Sequence, residues 1–291
     1  MLGRGASTWI VGVGLLAVVA LGGAGCTSGE ETASDTSTSE SALDATEEEA
    51  VFPVTVVDDA GREVTIEARP ERIVSLAPAN TEIVTELGLL DSLVGVTDYD
   101  DYPPEVTEIP KVGDFVAPNI EAIAAAEPDL VLATTGVQTD AIERLEGLGA
   151  VVVAVDPQDL EGLYASIEMV GEATGEPVEA RALASNMREE IAAVTETVSS
   201  EESATVFVEI AQDPLFTAGA GTLIDDLVSA AGGTNVVVEE GYVAYSAEQV
   251  VSDDPQVYLA TAGSMGDPEA LASRPGFSSL TAVQEGRVEI L

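Results

Sequence analysis

Two stretches of the chain align without a gap: NIEAIAAAEPDLVLA at 119–133 and SAEQVVSDDPQVYLA at 246–260. Each reads as a cap-forming residue, Asn119 or Ser246, with a glutamate, Glu121 or Glu248, two positions later. The helical stretch then halts ahead of Pro128 or Pro255 and an apolar strand begins directly. A helix-to-strand unit that occurs twice implies two similar lobes. Matching carboxylates at matching helix starts imply a cleft between those lobes and a symmetric surface for a partner to grip.

At 291 residues, 46% of them hydrophobic, the chain can build a core in each lobe. Its 53 acidic residues face only 10 basic ones, and Lys111 is the sole lysine. A formal charge of −43 repels phosphate backbones, which argues against nucleic-acid binding. The excess reads as a solvated acidic coat of the halophilic or salt-tolerant kind, where the Debye length shrinks to ~3 Å at 1 M salt and self-repulsion is screened.

Residues 1–25 read as an export signal. Arg4 gives a positive start, the apolar run 9–21 is too short for a comfortable membrane span, and small residues precede Cys26. This is the pattern of a lipoprotein signal peptide, with Cys26 as the lipidated mature N-terminus, although Gly23 stands where a lipobox usually has Leu. Residues 26–51 are Ser, Thr, Glu and Asp with little apolar content, so they read as a disordered acidic tether. The protein is therefore expected outside the cytoplasm at the cell surface, anchored to the membrane by lipid on Cys26.

The remainder predicts α/β structure. A hairpin spans 54–57 and 64–66. Strands at 73–76, 93–96, 130–133 and 151–155 alternate with helices starting at 78, 120 and 140, the first facing inward through Ile83, Val84 and Leu87. Helical periodicity covers 160–198 with one break at 175–177. The piece from 177 to 198, with Ala180, Leu183, Ala184, Met187, Ile191 and Val194 at helical spacing, makes a strut of roughly 33 Å. Beyond it come strands at 205–210, 257–260 and 288–291 and helices at 223–231 and 247–252. The expected organisation is an N-terminal lobe at 52–157, bridging helices at 158–200 and a C-terminal lobe at 201–291.

The motifs PERIVSLAPANTE (70–82), VGVTDYDDYPP (94–104), VGDFVAPNIE (112–121) and EPDLV (127–131) resemble the substrate-binding proteins of ABC importers for cobalamin and ferric siderophores. They are most similar to the cobalamin receptors of that group. The resemblance covers the chain from Phe52 onward. It implies two Rossmann-like lobes with parallel sheets bridged by a long rigid α-helix, the class III periplasmic-binding-protein fold.

The resemblance also implies roles. Pro78 sits where the first helix meets the cleft, Tyr99 matches an aromatic that stacks on a corrin ring, and Phe115 stands where cobalamin receptors often have Trp. Tyr242 and Tyr245, just ahead of the Ser246 cap, are expected at the cleft rim. Glu121 and Glu248 match two glutamates that dock on arginines of a permease dimer. A first-turn glutamate also stabilises any helix by about 0.3–1 kcal/mol, which explains one of them; the internal match is the reason to assign both.

With no His anywhere, the chain has no Ser-His-Asp triad and no usual zinc site, and AGAGT at 218–222 lacks the lysine and spacing of a phosphate loop. An enzyme is not expected, nor a resident cofactor or a metal site. The expected function is capture of cobalamin or a related corrinoid, by a monomer, for delivery to an ABC permease. The alternatives are a ferric-siderophore receptor, for which Arg274 is the most plausible cleft cation, and a non-transport surface sensor or interaction protein on the same fold. The only tryptophan, Trp9, lies in the signal, and the chain stops at Leu291 where relatives of this kind usually continue into a helix, so a truncated or shortened second lobe is expected.

Overall fold

The computed structural model describes residues 51–265 and 267–291. The signal, the lipidation site Cys26 and nearly all of the tether lie outside the described residues.

The hairpin pairs β1 (Val54–Val57) with β2 (Glu63–Ile66), Val57 opposite Glu63. Asp58, buried in its turn, accepts the Arg62 and Ala154 backbone N–H groups at 2.9 and 3.1 Å and the Arg62 guanidinium, which pins the hairpin to the neighbouring sheet. That sheet is wholly parallel. Its order is β4 (Leu93–Gly95), β3 (Ile73–Ser75), β5 (Leu130–Ala133), β6 (Val152–Ala154). The central strands β3 and β5 and the flanking β6 are buried throughout, as expected where helices cover both faces. One face packs on the hairpin, on α1 (Pro78–Glu86) and on the bridging helices through Ile83, Val84, Leu132 and Val170. The other packs on α2 (Ile120–Ala125) and α3 (Thr139–Gly147) through Ile123, Ile142 and Leu145.

The bridge is α4 (Leu160–Thr174) followed by α5 (Pro177–Val198). Gly175 ends α4 in the left-handed region at φ 87°, and Pro177 opens α5 with the φ a first helical turn requires. The two helices touch closely: a Cβ on Gly171 would stand 2.2 Å from the Cβ of Ala180, so only glycine fits there. Leu183, Met187 and Ile191 continue the apolar contact, whereas Val194, expected on the same stripe, is 50% exposed. The apolar core of the first lobe ends before that turn. At the far end, Thr195 Oγ1 donates to Ala230 O at 3.0 Å, and at the start of α4 the Leu160 N–H donates to Asp226 at 3.0 Å. Both acceptors belong to α6 (Leu223–Ala230) of the second lobe, so the bridge grips that lobe twice.

The second sheet combines β7 (Thr205–Gln212), β8 (Leu215–Ala218), β9 (Thr234–Asn235), β10 (Tyr242–Ala244), β11 (Val257–Ala260) and β12 (Val288–Ile290), with α7 (Ala247–Asp253) and α8 (Thr281–Glu285) among the connections. Its parallel part, β9–β7–β11–β12, reproduces the strand order of the first sheet. The parallel sheet expected from the sequence is present, and β8 and β10 add an antiparallel extension to it beside β7. The extension arises because Asp213 and Pro214 form a tight turn that sends the chain back along the strand it has just left.

Candidate functional site

The parallel strands of the first lobe end at a common rim, where an α/β sheet normally presents its ligand. Ala77 lies just beyond β3, Thr134 follows β5, and Val155 and Asp156 follow β6. Together with Pro78, Asn80 and Ile83 of α1, Phe115 and Leu163 of α4 they line a largely apolar cavity of about 280 Å³, and Leu223 at the start of α6 meets it from the second lobe. The cavity therefore lies between the lobes. Its size is near the lower end of the ~300–1,000 Å³ typical of small-molecule sites, so a larger ligand extends beyond its mouth.

Three polar residues that sequence reasoning did not single out shape this rim. Gln138, fully buried, donates from Nε2 to the carbonyls of Leu76 and Phe115, both at 2.7 Å, and accepts the Thr134 N–H at 2.8 Å. It thereby stitches together three loops that bear on the cavity. Asp100, also buried, accepts the Thr97 N–H at 2.9 Å and the hydroxyls of Thr97 and Thr81, and Lys111 donates to its carbonyl at 2.9 Å. The DYDDYPP loop is thus tied to α1. Asn80, 2% exposed, is the third, and its side-chain nitrogen has no partner. Only Asn80 and Asp100 belonged to motifs visible in the sequence, and neither position advertised its role.

Of the residues singled out in the sequence, Pro78 and Phe115 are brought together on the cavity wall. Tyr99 stands on the neighbouring loop, 59% exposed, with its hydroxyl donating to Asp114 Oδ2 at 2.9 Å. That bond holds the Tyr99 phenol above its usual range. The Val116 N–H first, and then the Tyr99 hydroxyl, hold the Asp114 carboxyl below its own. Tyr242 on β10 is half-exposed, and burial and then the charge of Asp156 raise its phenol, so it and the cavity carboxylate are electrostatic neighbours across the lobes.

Tyr245 departs from the expectation of a rim position. Its ring packs 5.6 Å from Phe207 within the apolar core of the second lobe and its hydroxyl donates to Asp253 at 2.5 Å. Burial and that carboxylate push the phenol far up. The odd-numbered residues of β10 already face this core through Val243, and Tyr245 continues that face.

Arg274 is likewise committed elsewhere. Its guanidinium clasps the fully buried Glu209 with both nitrogens, Nη2 to Oε1 at 3.0 Å, and Tyr258 donates to the same carboxylate. It lines no part of the cavity, whose wall carries Asp156 as its charged group and no basic residue.

Glu121 and Glu248 are both exposed in the first turns of α2 and α7. Asn119 accepts the Glu121 and Ala122 N–H groups at 3.1 Å, while Ser246 and Gln249 form a reciprocal capping box at 3.1 and 3.2 Å.

Two α/β lobes of matching strand order, a long helical strut and an inter-lobe cavity at the carboxyl ends of parallel strands define a two-lobed ligand-binding protein. The chain belongs to the periplasmic binding protein family, whose profile matches residues 73–291. It is 38% identical over 247 residues, 82% of this chain and 78% of the relative, to the ABC transporter substrate-binding lipoprotein YvrC of Bacillus subtilis. It is 32% identical over 215 residues to a cobalamin-binding protein of Halobacterium salinarum, covering 72% of this chain and 58% of that protein. Among solved structures, the periplasmic vitamin B12 binding protein BtuF of Vibrio cholerae superposes with a TM-score of 0.65 at 30% identity, over 76% of this chain and 88% of that one. A periplasmic heme binding protein of Pseudomonas aeruginosa gives 0.70 at 28% identity, over 76% and 84%. The protein is thus a substrate-binding protein of the ABC-transporter group that includes cobalamin and heme binders, and not an enzyme.

Proposed function

We propose that this protein captures cobalamin or a related corrinoid outside the cytoplasm and hands it to an ABC permease. The observation that carries the reading is the cavity wall: largely apolar, with the aromatic ring of Phe115 on it, and without a basic residue. Flat apolar ligands are held by such surfaces through stacking and burial, whereas anionic chelates and the carboxylates of heme call for cations. The commitment of Arg274 to Glu209 removes the cation on which a ferric-siderophore reading depended, and the absence of His removes the usual axial ligand for heme. The names of the Halobacterium and Vibrio relatives support the same choice.

In this reading Pro78, Phe115, Tyr99 and Tyr242 contact the ligand, Glu121 and Glu248 engage the permease dimer, and lipid on Cys26 keeps a monomeric receptor at the membrane. The lobes act as units at 52–157 and 201–291, with 158–200 between them.

Equilibrium dialysis of the full chain against cyanocobalamin, cobinamide, heme and a ferric hydroxamate tests the assignment. Retention of the two corrinoids alone is expected. Retention of the hydroxamate or heme in their place would refute it.

A further inference from the structure

Both oxygens of the Asp114 carboxylate are engaged. Oδ1 accepts the Val116 N–H at 2.7 Å, and Oδ2 accepts the Tyr99 hydroxyl at 2.9 Å. The first bond closes a turn over Phe115, which lines the inter-lobe cavity. The second reaches across to the loop that carries Tyr99. One carboxylate therefore stands between the two aromatic residues that the corrinoid reading sets against the ligand from the first lobe.

The two loops hold their paths without this side chain. The Val112 N–H donates to Val96 O at 2.8 Å and the Asp98 N–H to Gly113 O at 3.0 Å, so the loops run side by side. The turn at 113–118 is closed at its base by a bridge between Gly113 and Pro118 and by the Asn119 N–H on Val112 O at 2.8 Å, and Gln138 holds the Phe115 carbonyl at 2.7 Å. What the Asp114 carboxylate adds is an orientation for Tyr99. A tyrosine that is 59% exposed turns between rotamers, and a ligand that stacks on it must stop that motion at a cost in entropy. With Oδ1 fixed by the Val116 N–H, Oδ2 is a steady acceptor, and its charge makes the bond one of the stronger kind.

We infer that Asp114 is a positioning residue of the ligand site, its carboxylate holding the Tyr99 ring in the orientation that meets the ligand beside Phe115. The inference deepens the corrinoid reading and rests on it for the nature of the ligand, but not for the ordering of Tyr99.

Asp114→Ala, Tyr99→Phe and the double change, each in the full chain, test the inference through affinity. Asp114→Ala should leave the unfolding temperature nearly unchanged and weaken cobinamide binding about three- to tenfold, the effect of one side chain that must be ordered anew. Tyr99→Phe, which lacks the hydroxyl and keeps the ring, should lose about as much, and the double variant no more than either. Unchanged affinity in Asp114→Ala would overturn the inference. So would losses that add in the double variant, or a loss seen only alongside a lower unfolding temperature.

The ordering of Tyr99 is read without ligand, by NMR signals assigned through their absence from Tyr99→Phe. The Hα–Hβ couplings should report one rotamer in the parent and an average in Asp114→Ala. The bond to Asp114 and then its charge raise the Tyr99 phenol, ahead of burial and of Asp98, so the phenol should titrate at lower pH in Asp114→Ala. Averaged couplings in the parent, or couplings and titration unchanged in Asp114→Ala, would overturn the inference whatever the ligand is. A parent protein that binds no corrinoid yet shows both changes would refute the corrinoid reading alone and support the ordering of Tyr99 by Asp114.

Discussion

Glu127 and Asp254 occupy the same place in the two lobes, and they are the non-glycine residues with positive φ among those described, at 47° and 45°. Each ends a short helix and precedes a proline. The residues after those prolines repeat one another as well: Asp129 N–H donates to Arg72 O at 2.8 Å, and Gln256 N–H donates to Thr205 O at 2.9 Å. A left-handed backbone is costly for a residue with a Cβ. Its double occurrence shows that the repeat is one of backbone geometry as well as of residue type.

From this pair comes a stability prediction. Glycine at position 127 relieves the Cβ penalty but adds entropy to the unfolded chain, so Glu127→Gly should be neutral or stabilising by up to about 1 kcal/mol, whereas Asp254→Gly should destabilise by about 1 kcal/mol or more, because the Asp254 carboxylate accepts the Thr281 N–H and hydroxyl at 2.7 and 2.9 Å. Valine at either should cost more than 1 kcal/mol, on the order of the strain of a branched residue there. Thermal unfolding of the four proteins reads the difference.

The buried Asp58 predicts a pH dependence. Burial alone would raise its carboxyl, but the bonds from Arg62 and from the backbone of Arg62 and Ala154 outweigh it and hold it below the usual range. A group whose folded value is depressed stabilises the fold above its unfolded value and loses that contribution as pH falls through the folded one. Stability should therefore decline in acid below about pH 4. Asp58→Asn should lose about 2–3 kcal/mol at neutral pH, because Arg62 is left without its buried partner, and should show a flatter acid limb in denaturant titrations.

Gln138 predicts a linked loss of stability and binding. Gln138→Ala leaves the Leu76 and Phe115 carbonyls unpaired, which should cost about 2–3 kcal/mol and weaken corrinoid binding about tenfold or more as the rim loosens. Calorimetric unfolding and dialysis on the same preparation check both. Unchanged affinity would show that Gln138 serves the fold alone.

The Arg274–Glu209 pair separates structure from ligand binding. Arg274→Ala should destabilise by about 3–5 kcal/mol, since Glu209 would be buried without a counter-charge. The double change Glu209→Gln with Arg274→Met should recover most of that loss and bind ligand as the parent does. A folded double variant that no longer binds would return Arg274 to the list of ligand contacts.

How much of this was readable in the sequence depended on how local each signal is. The strut from Pro177 to Val198 was legible because a proline start and helical apolar spacing are short-range signals. The parallel strands were legible because each is a compact apolar run close in sequence to a helical stretch. β8 and β10 were not, since a two-residue turn at Asp213 and Pro214 and the short strands around it carry no periodicity of their own. Tyr245 looked like a rim residue because it sits beside the Ser246 cap, but strand alternation turns it toward Phe207. Gln138, Asp100 and Asn80 were invisible for a common reason. A buried polar residue has meaning only through partners distant in sequence, and Asn80 only through the lack of one.

The duplicated helix starts give the transport prediction. Glu121→Ala and Glu248→Ala should each leave ligand affinity and unfolding temperature nearly unchanged, because both side chains are exposed and the caps are made by Asn119 and Ser246. Together they should abolish ligand-stimulated ATP hydrolysis by the reconstituted permease. Full stimulation by the double variant would rule out these glutamates as the docking points.

The most direct measurement is a crystal structure of the protein grown with cobinamide. The account predicts a corrin ring across the inter-lobe cavity, resting on Pro78 and Phe115. A ring bound elsewhere on the molecule, or an inter-lobe cavity without ligand at saturating cobinamide, would contradict it.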